Sequence, residues 1–220
     1  QITDLAPMRA AFTLMRQLAK ELLAAGYQLR HLDLGGGLGI PYYANDPLPP
    51  HPRDYAAIIV ECLGDLGLEL VLEPGRIIAA NSGVLLTRVI HVKEGADRTF
   101  LIVDAAMNDL LRPTLYEAHH DIWPVREDLK SMPPVVQDIV GPVCETGDYI
   151  ALERSLPPFS EGDLVAVMAA GAYGAVMSST YNSRPLVPEV LVKGEDFAVV
   201  RPRQSYDELI GLDRLPDWPA

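Results

Sequence analysis

Apolar positions near the start of the chain recur at helical spacing, which predicts an amphipathic helix over residues 7–25. Pro7 suits the first turn of this helix, and Gly26 suits its C-terminal end. A second helix is predicted over residues 53–66, where Gly67 ends the pattern. The apolar face of the first helix comprises Met8, Ala11, Phe12, Met15, Leu18 and Leu22.

Short apolar runs follow each predicted helix and indicate buried strands over residues 30–34 and 68–72. The first strand runs into the glycine-rich segment Gly35–Gly39, and the second runs into Glu73-Pro74-Gly75-Arg76. Alternating helices and strands, with glycines at the strand ends, are typical of an α/β barrel or a doubly wound sheet.

The pattern changes near residue 82, after which short strands separated by turn residues predict an antiparallel sheet. We therefore expect two domains, an α/β domain over residues 1–82 and a β domain over residues 83–220. The predicted strands of the second domain cover residues 84–92, 100–104, 135–140, 149–152, 164–169 and 188–192.

Composition and charge narrow the class of protein. The 220 residues carry a net charge of −12, which argues against a nucleic acid or an anionic membrane as partner. The longest apolar run, Leu164–Met177, is too short to span a bilayer. Two cysteines, Cys62 and Cys144, cannot form a disulfide framework, so we expect a reducing, cytoplasmic compartment.

The glycines that follow the first predicted strand are candidates for binding a phosphate group. In such a loop, backbone N–H groups can point together at an anion. Ile40 and Pro41 stand where the helix of a dinucleotide-binding motif would continue, so a mononucleotide or a cofactor phosphate is favoured over NAD. A simple tight turn at Gly35, Gly36 and Gly37 explains the same residues.

Glu73 and Arg76 stand at the carboxyl end of the second predicted strand, which faces the active site in parallel barrels. A carboxylate and a guanidinium there could hold a pyridine N–H and an anionic group. A local ion pair is the simpler interpretation of these two residues taken alone. The pair His119 and His120, followed by Asp121, suggests a metal site only weakly, because adjacent histidines on a regular element point apart.

Six motifs, taken in order along the chain, resemble the diaminopimelate decarboxylases. This family depends on pyridoxal 5′-phosphate, and it combines an alanine-racemase-like barrel with a β domain. The resemblance covers nearly the whole chain and implies the C-terminal part of a TIM-type barrel followed by an antiparallel β domain. The motifs are Asp33–Gly39, Glu73–Arg76, Arg112–Tyr116, Gly141–Asp148, Gly171–Gly174 and Tyr181–Pro185.

The resemblance implies a set of cofactor-binding residues. The backbone of Gly35, Gly36 and Gly37 would bind the cofactor phosphate, helped by Gly75 and Arg76. Glu73 would pair with the pyridinium nitrogen, which strengthens the ring as an electron sink. Tyr173 would contact both cofactor and substrate, although a tyrosine within an apolar strand is also explained by packing.

The resemblance also implies how the substrate is held. Arg76, Arg112 and Tyr116 would bind a substrate carboxylate, and Glu145 would bind the distal ammonium of diaminopimelate. Cys144 would supply the proton that replaces CO₂, whereas a lone cysteine is otherwise most often a small buried residue. Because Cys144 and Glu145 reach the partner subunit's site in this family, the resemblance implies a homodimer.

We expect this chain to lack the lysine that forms the Schiff base with the cofactor in this family. Its four lysines, Lys20, Lys93, Lys130 and Lys193, fall on a polar helix face, in hairpin turns and in a charged run, so we expect them to be solvated. The chain is therefore expected to be a C-terminal fragment that is inactive alone. An ornithine- or arginine-type decarboxylase and a non-catalytic homologue stay open as alternatives.

Overall fold

The computed structural model describes residues 1–43 and 45–218, which form two compact units. Of the described residues, those within 1–84 and 169–172 form the first unit, and those within 85–168 and 173–218 form the second unit. The four residues 169–172 follow strands of the second unit in sequence but belong to the first unit. No local pattern in the sequence indicated that these four residues belong to the first unit.

The first unit contains the predicted alternation of helices and strands. Its two strands are parallel, and Leu32 lies opposite Leu70 in their register. The carboxylate of Asp4 accepts a hydrogen bond from the N–H of Ala6 and so caps the first helix. The elements are α1 (Leu5–Ala24), β1 (His31–Asp33), α2 (Pro52–Leu63), β2 (Glu69–Val71) and α3 (Arg76–Ala79).

Helices α1 and α2 pack against each other through part of the apolar face predicted for α1: Met8 and Phe12 are buried, whereas Leu18 is 56% exposed. The rings of Phe12 and Tyr55 lie 5.9 Å apart between centroids, within a buried cluster that also contains Met8 and Leu63. Burial of such side chains stabilises each helix more than its intrinsic propensity does. Helix α2 ends at Leu63, three residues before the predicted end, and the N–H of Gly64 donates to the carbonyl oxygen of Val60 in the last turn.

The second unit contains a six-stranded sheet in the order β5-β8-β3-β4-β6-β7 and a separate β9-β10 hairpin. Its strands are β3 (Leu85–Glu94), β4 (Thr99–Val103), β5 (Ile122–Pro124), β6 (Val135–Val140), β7 (Tyr149–Leu156), β8 (Leu164–Val167), β9 (Glu189–Lys193) and β10 (Asp196–Arg201). The described residues of this unit also form short α-helices, namely α4 (Arg112–Tyr116), α5 (Gly174–Met177) and α6 (Tyr206–Ile210).

The large sheet is antiparallel, as predicted, except between β4 and β6, which run parallel. Parallel neighbours need a crossover connection. Here that connection is the segment between Val103 and Val135, which carries α4 and β5. The buried apolar residues of the sheet include Val89, Leu101, Val103, Ile139, Ile150, Val165 and Val167.

Several predicted boundaries and environments differ from the structure. Strand β7 continues to Leu156 instead of ending at residue 152, because Arg154 still pairs with Gln137 although it interrupts the apolar pattern. Lys93 and Lys193 lie within β3 and β9 and not in hairpin turns, since each pairs across its ladder, with Phe100 and Asp196. The extent of all three strands therefore follows the backbone pairing, which continues through polar residues near a strand end.

Candidate active site

The glycine loop of the first unit lies against the turn that contains Glu73. The backbone N–H of Glu73 donates to the carbonyl oxygen of Gly35 at 2.8 Å. A Cβ atom on Gly36 would stand 2.1 Å from the carbonyl oxygen of Glu73, so only glycine fits there. Gly35 and Gly37 have φ values of +66° and +102°, which other residues rarely adopt. Packing against Glu73 thus requires a glycine at position 36.

One of the predicted phosphate donors already has a partner. The N–H of Gly35 donates to Oδ1 of Asp33 at 2.8 Å, which pins the start of the loop. Ile40 and Pro41 lie outside any helix, and among the described residues 38–43 and 45–51 no helix precedes α2, which begins at Pro52. This agrees with the sequence argument against a dinucleotide-binding motif.

Arg76, the first residue of α3, is half-buried beside Tyr42. Its Nη1 donates to the hydroxyl oxygen of Tyr42 at 3.2 Å and to Oε1 of Gln1 at 3.3 Å. The Arg76 Cζ atom also lies 5.9 Å from the centroid of the Tyr42 ring. Sequence reasoning missed Tyr42, which lies in an irregular loop that carries no motif.

Helix α4 of the second unit holds Arg112 and Tyr116 in different environments. Arg112 is 7% exposed, whereas Tyr116 is 62% exposed, although the two are one helical turn apart. The Arg112 Cζ atom lies 5.6 Å from the centroid of the Tyr173 ring. The structure therefore brings Arg112 together with Tyr173, and it places Tyr116 at the surface.

The interpretation of Tyr173 as a residue within an apolar strand is wrong. Strand β8 ends at Val167, and Tyr173 precedes α5 with a left-handed backbone at φ 67°. This conformation costs a residue with a side chain about 1–3 kcal/mol and persists only where the surroundings hold it. Contact with the buried guanidinium of Arg112 is one such constraint.

Cys144 and Glu145 lie in the loop between β6 and β7, as predicted, and both are exposed. The interpretation of Cys144 as a buried apolar residue is therefore wrong, whereas Cys62 is partly buried against the core of the first unit. Oε1 of Glu145 accepts hydrogen bonds from the N–H of Gly147 at 3.3 Å and the hydroxyl of Thr146 at 3.0 Å. These bonds, led by that from Gly147, lower the pKa of Glu145, so its side chain is ionised at neutral pH.

Two residues near these side chains were given no binding role by sequence reasoning. Asp148 is buried, and its carboxylate accepts hydrogen bonds from the N–H groups of Val143 and Met107. His120 is 1% exposed, and its Nε2 lies 3.1 Å from Nη1 of Arg112. His119 and His120 do point apart: His119 lies 2.8 Å from Asp121, while His120 faces Arg112.

Within residues 1–43 and 45–218, no cluster of three or more histidine, cysteine, aspartate or glutamate side chains is arranged to hold a metal ion. The four lysines are all exposed. In the same ranges, no helix combines the length and apolar character that crossing a bilayer requires.

The predicted site residues divide between the two compact units. The first unit holds Gly35, Gly36, Gly37, Glu73, Gly75 and Arg76. The second unit holds Arg112, Tyr116, Cys144, Glu145 and Tyr173. The first set offers glycine N–H groups, a carboxylate and a guanidinium, which suit a phosphorylated ring; the second offers a buried cation, an exposed thiol and an ionised carboxylate.

Comparison with a family model and with individual relatives points to one family of proteins. The family described as "Pyridoxal-dependent decarboxylase, C-terminal sheet domain" matches residues 12–171. The diaminopimelate decarboxylase of Pseudomonas aeruginosa is 50% identical over 98% of this chain and 51% of that protein. The diaminopimelate decarboxylase of Zymomonas mobilis is 47% identical over 99% of this chain and 51% of that protein.

A solved structure shares the fold. The crystal structure of diaminopimelate decarboxylase from Helicobacter pylori complexed with L-lysine superposes with a TM-score of 0.88. The sequences are 40% identical, and the match covers 96% of this chain and 52% of that chain. The chain therefore spans about half the length of the relatives that it matches.

Proposed function

Because the chain belongs to the family of pyridoxal-dependent decarboxylases, we propose that it is the C-terminal half of a diaminopimelate decarboxylase. The complete enzyme would convert meso-diaminopimelate to L-lysine and CO₂. The observation that carries this proposal is the 50% identity to such an enzyme over 98% of the chain. The Helicobacter pylori relative binds L-lysine, which is the product of the proposed reaction.

The residues of the first unit fit pyridoxal phosphate. Gly36 packs directly against the backbone of Glu73, so the glycine loop lies beside the turn that carries Glu73 and Arg76. Gly36 and Gly37 would donate N–H groups to the phosphate, with Gly35, Gly75 and Arg76 around it, and Glu73 would pair with the ring nitrogen. Tyr173 would contact both cofactor and substrate. When bound, the cofactor supplies an electron sink for cleavage of the bond to the carboxyl carbon.

The second unit would recognise the substrate and deliver a proton. Arg112, together with Arg76 and the exposed Tyr116, would hold a substrate carboxylate. Glu145 is ionised and would pair with the distal ammonium group. The Sγ–H group of Cys144 would donate the proton that takes the place of CO₂ on the carbon.

The complete protein would be a cytoplasmic homodimer with shared active sites. The exposed positions of Cys144 and Glu145 support this, because side chains on a surface loop are available to a partner subunit. Residues 1–82 would form the last units of a TIM-type barrel, and residues 83–220 would form the C-terminal β domain. It would bind a small-molecule amino acid substrate and neither nucleic acid nor membrane, which is consistent with its net charge of −12.

The first experiment uses the complete polypeptide that contains this chain. Purified with pyridoxal phosphate, it should release CO₂ from meso-diaminopimelate and form L-lysine, with much lower turnover on ornithine or arginine. Preference for ornithine or arginine would replace the proposed substrate. Failure to turn over any of the three amino acids would support a non-catalytic homologue.

A second experiment examines residues 1–220 alone. Borohydride reduction traps a covalent link between the cofactor and a lysine, and peptide mapping locates it. We expect no stoichiometric adduct and no CO₂ release, because Lys20, Lys93, Lys130 and Lys193 are all exposed. A single labelled lysine together with CO₂ release would overturn the proposal that this chain is inactive alone.

A further inference from the structure

His120 occupies a buried position beside the proposed carboxylate-binding arginine. It lies between α4 and β5, and its imidazole is 1% exposed. Nδ1 lies 2.8 Å from the carbonyl oxygen of Met168, and Nε2 lies 3.1 Å from Nη1 of Arg112. Both contacts fall within the second unit. A histidine that uses both ring nitrogens in this way is fixed in rotation.

The partners of His120 define its protonation. A carbonyl oxygen only accepts hydrogen bonds, so Nδ1 carries the hydrogen. A guanidinium only donates, so Nε2 must present its lone pair to Arg112. The imidazole is therefore neutral. Burial, the largest cause, lowers the pKa of His120 to about 4, and the positive charge of Arg112 acts in the same direction.

The backbone of His120 is held as well as its ring. Nη1 of Arg154, on β7, donates to the carbonyl oxygen of His120 at 2.9 Å. Nη2 of Arg154 contacts His119 at 3.1 Å and Asp121 at 3.5 Å. Charged groups on neighbouring elements thus anchor the segment that carries His120, so its Nε2 is a rigid acceptor.

We propose that His120 is a positioning residue, which orients the guanidinium of Arg112 for the carboxylate of the substrate. The proposal rests on the function proposed above, in which Arg112 binds that carboxylate. A neutral acceptor fixes one N–H of Arg112 without cancelling its charge. A carboxylate in the place of His120 would form an ion pair with Arg112 and compete with the substrate. The Tyr173 ring, 5.6 Å from Arg112 Cζ, lies beside the same guanidinium.

Two matched substitutions in the complete protein separate the role of Nε2 from the role of Nδ1. The amide oxygen of His120→Gln can reach the place of Nε2 and accept from Arg112. The shorter side chain of His120→Asn can reach only toward Met168. We expect His120→Asn to raise the KM for diaminopimelate roughly 10-fold or more, with a smaller change in kcat, because ground-state binding is lost. His120→Gln should recover most of that loss.

Product analogues test whether the effect passes through a carboxylate. In His120→Asn, the inhibition constant of L-lysine should rise in parallel with the KM. Inhibition by 1,5-diaminopentane, which has the same two amines and no carboxylate, should stay at the parent value. His91→Asn, at an exposed histidine beside Glu161, is the matched control and should leave both constants unchanged. Equal losses for both inhibitors would mean a general structural defect and would overturn the proposal.

A measurement on the unmodified protein avoids dependence on variants that fold poorly. Nitrogen-15 spectra of the histidine side chains should assign a neutral ring to His120, with the hydrogen on Nδ1, at neutral pH. A hydrogen on Nε2 would overturn the proposal. The substitution Arg112→Lys tests carboxylate binding by Arg112 separately from its positioning by His120. If Arg112→Lys raises the KM and His120→Asn does not, the role proposed for His120 is wrong. A complete protein that does not turn over diaminopimelate overturns the proposed function and this inference together.

Discussion

Oδ2 of Asp148 accepts a hydrogen bond of 2.6 Å from the backbone N–H of Val143, the residue immediately before Cys144. Oδ1 of the same carboxylate accepts from the N–H of Met107, also at 2.6 Å. The backbone closes the loop further, because the N–H of Gly141 donates to the carbonyl oxygen of Asp148 at 3.0 Å. One buried carboxylate therefore sets the shape of the loop that presents Cys144.

Replacing Asp148 with asparagine should destabilise this loop. An amide retains one acceptor oxygen and turns its NH₂ group toward a backbone N–H, so one buried donor loses its partner. The expected cost is about 1–3 kcal/mol. Thermal unfolding of the complete protein measures it, and Asp97→Asn, at an exposed turn position, is the control. Equal melting temperatures for the parent and the Asp148 variant would contradict this role.

Cys144→Ala should bind pyridoxal phosphate normally and lose most turnover. Cys144 is exposed and is the proposed proton donor, and a positioned donor typically contributes about 10²–10⁴-fold to the rate. Steady-state kinetics and cofactor absorbance measure the two properties separately. Cys62→Ala, on α2 at the edge of the core, should keep its turnover. Near-parental turnover in Cys144→Ala would remove this residue from the mechanism.

Glu145→Ala should lose affinity for diaminopimelate more than it loses the rate of bond breaking. A carboxylate that faces an ammonium group discriminates against ligands that lack it. Since hydrogen bonds lower the pKa of Glu145, the carboxylate stays charged until the pH falls below its usual range, and its contribution to binding is lost only there. KM values measured against pH for the parent and for Glu145→Gln check this. Tight binding by Glu145→Ala would refute the assignment.

Gly36→Ala should weaken cofactor binding and lower stability. Its Cβ would stand 2.1 Å from the carbonyl oxygen of Glu73, so the turn that carries Glu73 must move. Gly67→Ala is the control, because it introduces backbone strain at φ +67° without a collision: nothing lies within 4 Å of the added atom. Fluorescence titration with pyridoxal phosphate should show a clear loss for the first variant and not for the second.

The stability of the complete protein should fall as the pH drops from about 6.5 toward about 4, in part because of His120. Its pKa is lowered in the folded state, so the unfolded chain binds more protons in this interval and unfolding is favoured. The slope from one such group is at most about 1.4 kcal/mol per pH unit. Denaturant unfolding at several pH values measures it, and His120→Asn should remove this part of the slope. An unchanged slope in the variant would contradict a neutral buried His120.

The long elements and the motif-bearing loops could be predicted from local patterns, because helical spacing and β alternation are properties of neighbouring residues. Helix α1 and the Cys144 loop between β6 and β7 are examples. Strands β5 and β10 were not predicted. Strand β5 has three residues, ends in a proline and exists only because β8 pairs with it.

The sequence by itself determined the kinds of chemical groups this protein presents and their order along the chain. The glycine loop, Glu73, Arg112 and the Cys144 segment could all be named from it, as could the family. The environment of each group was decided only by the tertiary structure. Arg112 and Tyr116 stand one turn apart, yet one is buried and the other exposed.

The contacts of His120 and Asp148 also emerged only from the fold, because their partners are distant in sequence. His120 meets Met168 across 48 residues, and Asp148 meets Met107 across 41. Hydrogen bonds of buried groups depend on which segments the sheet brings together, and no local pattern encodes that. Sequence supplies the donors and acceptors, and long-range packing selects which of them meet.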